Sequence, residues 1–161
     1  RGPCTYSLSI LYFMLKSRQG DTFTDPQKWF KAVAVTLKKY STNALIQGAG
    51  LSVLILLHGA TYKESTPAWD SDVINSNVLD SFVNPLLIFV RPTADPNVDR
   101  DILCEALQAM LAFCSSGPIA MHLVSLGAPD RVAESCQRFP ELQPLCWNLA
   151  HLLMMAACMP Q

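Results

Sequence analysis

Residues 106–111, Ala106-Leu107-Gln108-Ala109-Met110-Leu111, lie in the stretch whose punctuation decides the fold. Around them Leu103, Ala106, Leu107, Met110, Leu111 and Cys114 recur at the three-and-four spacing of one helix face. That spacing predicts a helix capped by Asn97 or Asp99 and running to about Cys114. Asp99 and Asp101 stand in its first turn, where they complement the positive end of the helix dipole. Ser116-Gly117-Pro118 opens a short helix over 119–126, stopped by Gly127, and Ala128-Pro129-Asp130 opens another that reaches about Phe139. Pro140 then opens the last helix, apolar on nearly every side through Cys158. A helix of that kind belongs in the middle of a stack.

Toward the N-terminus the same grammar continues. Asp25 caps a helix with Pro26 in its first turn, where a missing N–H costs nothing. Trp29, Phe30, Val33, Leu37 and Tyr40 fall on one side, and Lys28, Lys31, Lys38 and Lys39 stay in water. Residues 43–57 read as the next helix, ending at His58-Gly59, with Gly48 and Gly50 letting another backbone approach. A loop follows over 62–71, then two short helices over 72–90 that meet near Asn84 because Pro85 breaks the pattern. Arg91-Pro92-Thr93-Ala94-Asp95-Pro96 is a loop. Strand signals are weak throughout, so the expected class is all-α, with 1–161 forming a single domain.

From residue 98 onward the order is long helix, Gly-Pro turn, short helix, Leu126-Gly127-Ala128-Pro129, medium helix, Pro140-Glu141-Leu142-Gln143, then a long helix through Cys146-Trp147-Asn148-Leu149. Gln108 and Trp147 hold equivalent places in the two long helices, 39 residues apart, close to the roughly 40–47 of three-helix repeats. The pattern resembles the armadillo/HEAT-type helical-repeat family, best over 98–158. The resemblance implies armadillo-like or HEAT-like stacked repeats, a piece of an α-solenoid, and a protein-binding scaffold. In peptide-binding armadillo proteins the third helix presents a Trp and, four residues later, an Asn that holds an extended peptide. Trp147 keeps the first role, His151 stands in the Asn place, and Gln108 and Ala112 replace both in the earlier helix. An alanine can neither donate nor accept as an asparagine does. The implied mode is therefore docking of a partner helix or peptide segment on an apolar groove.

Composition sets the outer bounds. The chain has 161 residues, 50% hydrophobic and 16% charged, with net charge −1 and mean hydropathy +0.23. Disorder is excluded by that balance, and a strongly basic nucleic-acid binder is not favoured. Charged residues fall below the roughly 25% of an ordinary soluble domain, so the chain hides more surface than a free monomer would. Residues 44–57 and 145–159 are too short and too interrupted by polar groups to span a bilayer. Residues 8–15 resemble the apolar core of a signal peptide, but no small-residue cleavage pattern follows Leu15. Arg1-Gly2-Pro3 reads as the cut edge of a longer chain, which makes the rest of that chain a candidate partner. Residues 1–40 carry +5 and the remainder −6, which reads as solvated helix faces. The six cysteines form no C-x-x-C pair and the chain has no Asn-x-Ser/Thr sequon. This predicts buried reduced thiols in an intracellular protein, nuclear or cytoplasmic.

Catalytic signals are missing. His58, His122 and His151 fall on separate helices with no second ligand at helical spacing, and no phosphate-cradling, nucleophile-elbow or zinc-helix motif occurs. Capping explains Asp99 and Asp101. The reading is no enzyme, no cofactor, no metal, no membrane and no direct nucleic acid, with another protein as partner. The candidate anchors are Trp29, Phe30, Trp69, Gln108, Trp147 and His151, because aromatics dominate interface energetics. The alternative is a self-contained bundle, either a secreted disulfide-bonded signal or a carrier of an apolar small molecule.

Overall fold

A computed structural model describes residues 26–61 and 96–158, together with 7–10, 12, 71, 73–75, 79 and 80. Every regular element among them is helical. Trp69, the loop over 62–71 apart from Ser71, the break at Asn84 and Pro85, the loop residues 91–95 and Cys4 lie outside the described residues. Among the described residues, no helix is long and apolar enough to cross a membrane.

Helix α1, Pro26–Lys39, buries Phe30, Val33, Ala34 and Leu37 and keeps Lys38 and Lys39 in its last turn, where cations meet the negative end of the dipole. Its stripe is narrower than the spacing predicts: Trp29 is 44% exposed and Tyr40 is half-buried. The buried Gln47 amide closes the helix from outside, donating to Leu37 O (2.8 Å) and Tyr40 O (3.1 Å). Two carbonyls of the kind a helix end leaves over are thereby satisfied. Asn43 Oδ1 accepts from Ile46 N (3.2 Å), an N-cap for α2, Ala44–Thr61.

Helix α2 runs past His58-Gly59, where the sequence suggested an end. His58 is buried and stacked on Phe113 (centroids 4.1 Å apart), and its Nε2 lies 3.1 Å from Ala112 O. A carbonyl only accepts, so Nε2 carries the proton. These tertiary contacts hold the last turns in place. Gly50 also differs from expectation: the group it makes room for is the Leu37 side chain and not a backbone, and a Cβ there would stand 2.5 Å from Leu37 Cδ2.

Helix α3, Pro96–Phe113, packs against α2 on one side. Ser52 Oγ donates to Glu105 Oε2 (2.9 Å) across that contact. Asp99 does more than complement the dipole: it is fully buried and accepts from Arg138 Nη2 at 2.7 Å, and the Arg138 guanidinium lies over the Phe139 ring. The pair ties the start of α3 to the end of α5.

Helices α4, Gly117–Ser125, and α5, Ala128–Arg138, meet at Gly127, whose φ of +77° requires a residue without a Cβ penalty. A 3-10 turn, Pro140–Leu142, separates α5 from α6, Gln143–Ala157, so Pro140 opens a turn and not the helix itself. Helix α6 packs on α3, α4 and α5 through Cys146, Leu149, Leu153 and Ala156. The principal contacts are α2 with α3, α1 with α2, and α6 with α4, α5 and α3. Although α6 is apolar on nearly every side, Trp147 (68% exposed), Met154 (67%) and Met155 (61%) are open to solvent, beside exposed Asn148 and His151. The expectation of a central helix is therefore corrected: one side of α6 is uncovered.

Candidate functional site

The uncovered side of α6 faces a groove shared with α5. Pro129, Val132, Ala133 and Cys136 form one wall, at i, i+3, i+4 and i+7. Cys146, Trp147, Ala150, His151 and Met154 form the other, again at helical spacing. The volume is about 400 Å³. No lining residue carries a fixed charge; the nearby Arg131 and Glu134 pair with each other (2.9 Å). Trp147 is a large rigid anchor and Met154 an adaptable one, so the surface can fit apolar side chains of varied shape. Gly127 and the 3-10 turn set the relation of the two walls by stopping α4 and α5.

Of the six anchors suggested by sequence, the structure brings Trp147 and His151 together here. Gln108 is exposed on α3 and donates to Cys104 Sγ (3.4 Å), outside the groove lining. Trp29 is exposed on α1, away from the lining. Phe30 is corrected outright: it is 2% exposed, with its ring 5.7 Å from Phe113, so it is core and presents nothing to a partner. Trp69 lies outside the described residues. Sequence reasoning missed the α5 wall and Met154. The signal was present, since 129, 132, 133 and 136 repeat at helical spacing, but the stripe is short and its residues are small.

A second groove of about 440 Å³ separates α2 from α3, where Ala44, Gly48 and Ser52 face Asp101, Ile102 and Glu105. Its carboxylates are already engaged: Asp101 holds Arg100 (2.8 Å) and Glu105 accepts from Ser52. Thiol chemistry is graded across the core. Burial pushes Cys114 up to about 12; burial and then the neighbouring Cys136 thiol push Cys146 up to about 12. Burial, followed by Glu105 and Asp101, raises Cys104. Among the described residues, no group of three or more His, Cys, Asp or Glu side chains is placed to hold a metal ion.

Compared with known proteins, the chain matches no family model, no curated protein and no solved structure. The functional reading therefore rests on the chain's own residues.

Proposed function

We propose that this chain is a non-enzymatic protein-interaction module of the stacked helical-repeat type, taking a partner helix or peptide segment on the α5–α6 groove. The observation that carries this is the solvent-open apolar side of α6: Trp147 and Met154 stand exposed in a groove without a fixed charge. Apolar surface of this kind on a folded protein marks an interaction site, and an amphipathic helix laid into an apolar groove is a recurring mode.

One burial register supports the repeat reading. At an offset of 39 residues, Leu103, Leu107, Met110 and Cys114 match Leu142, Cys146, Leu149 and Leu153, all buried, while Gln108 and Trp147 are both exposed. The reading places the module inside the cell, where unbridged thiols such as Cys104 and Cys114 persist. A carrier of an apolar small molecule draws on the groove volume, which falls within the range of ligand pockets.

The test is capture from cell extract with the wild-type chain and with Trp147→Ala, the retained proteins being identified by mass. Because Trp147 is mostly exposed, the variant keeps the wild-type melting temperature to within a few degrees. A protein retained by the wild type and lost by the variant, then bound directly when purified, supports docking. Identical capture by both, or an extractable apolar molecule in place of a protein, contradicts it.

A further inference from the structure

Cys136 on α5 and Cys146 on α6 bring the two thiols of the groove to opposite walls. Cys136 is half-buried and Cys146 is 3% exposed. Both line the one groove, on helices that pack against each other, and Cys136 stands near enough to add to the effect of burial on the Cys146 thiol. Cys104, on α3, is engaged by Gln108 and lies outside the groove lining.

We propose that Cys136 and Cys146 form a reversible disulfide in exchange with small-molecule disulfides, making the α5–α6 groove a redox modification site. The Cys136 thiolate attacks one sulfur of the reagent RSSR, forming a mixed disulfide and releasing RS⁻. Cys146 gives up its proton and attacks the Cys136 sulfur, forming the bridge and releasing the second RS⁻. The protons of both cysteines pass to the two departing thiolates. The balance is two protein thiols and RSSR giving one protein disulfide and two RSH, with two electrons passing to the reagent. Only the thiolate form of Cys146 attacks, so ring closure quickens as pH rises. The bridge joins both walls next to Trp147. Its effect on docking rests on the interaction reading above; the bond itself does not.

The experiment treats the reduced full chain with oxidised glutathione, blocks the remaining thiols by alkylation and maps the peptides by mass. The expected product is a peptide pair joined through Cys136 and Cys146, with two hydrogens and two free thiols fewer, reversed by dithiothreitol. Cys146→Ala stops at a glutathione adduct on Cys136, and Cys104→Ala still forms the bridge. Circular dichroism confirms that each variant is helical. A stable glutathione adduct on Cys136 of the wild type with no bridge, a Cys104–Cys146 bridge in its place, or a ring-closure rate independent of pH would each overturn the proposal. If the bridge forms yet leaves partner capture unchanged, the modification stands and the docking reading loses support.

Discussion

Two glycines one turn fraction apart on α2 show how far a single atom decides packing. A Cβ at Gly50 would lie 2.5 and 2.9 Å from Leu37, itself 1% exposed, whereas a Cβ at Gly48 meets only Ile102 Cγ1 at 4.0 Å. Helix propensity favours alanine over glycine by about 1 kcal/mol at both positions. Gly48→Ala therefore raises the melting temperature, while Gly50→Ala lowers stability by about 1–3 kcal/mol through overpacking. Equilibrium urea unfolding of the two variants checks the opposite signs. Both glycines were visible in the sequence; that one faces a Leu side chain and the other open contact was not, because that depends on the partner helix.

Cys114 gives a pH signature at the same scale. Its thiol is pushed from 9.0 to about 12 by burial. Below pH 9 both folded and unfolded chains keep the proton. Between 9 and about 12 the unfolded chain loses it first, binds fewer protons, and is favoured as pH rises, by at most about 1.4 kcal/mol per pH unit for one thiol. Cys114→Val removes that contribution. Melting curves from pH 7 to 10.5 are expected to fall less steeply for the variant than for the wild type; parallel falls would remove Cys114 from the account.

At the scale of the elements, the ion pair between Asp99 and Arg138 fastens α3 to α5. Asp99 is fully buried and the Arg138 side chain is 20% exposed, so the two partners are not equivalent. Arg138→Met leaves a buried carboxylate without its cation across the gap and costs about 3–5 kcal/mol. Asp99→Asn keeps an oxygen that can accept from Arg138 Nη2 and costs less. Denaturant titrations of both variants test the order. The helices themselves were legible: the Pro and Gly punctuation from Ser116 to Pro140 marks the observed elements to within a few residues. What failed was facing. Trp29 and Phe30 are neighbours about 100° apart on one helix, and apolar spacing alone does not say which of them enters the core beside Phe113. Asp99 looked like a first-turn acid because its partner lies 39 residues away.

For the whole molecule, α1 packs on α2, α2 on α3, and α6 on α3, α4 and α5; exposed large apolar side chains occur on several helices, Val35 and Leu45 among them, and α6 carries Trp147, Met154 and Met155. Hydrophobicity announced that α6 was fit for burial on every side. It carried no information on what covers each side, so the helix read as central while one of its faces is open. The candidate groove was legible in part for the same reason: Trp147 and His151 came from the long helix, whereas the α5 wall emerges only when the two helices are set side by side.

Hydroxyl-radical footprinting, read by mass, tests the central claim most directly. In the free chain, Trp147, Met154 and Met155 are expected to oxidise readily and the fully buried Met110 to resist. In complex with a protein retained by the wild-type chain, Trp147 and Met154 become protected while Trp29 keeps its reactivity. Protection elsewhere, with Trp147 and Met154 as reactive as in the free chain, would contradict docking on the α5–α6 groove.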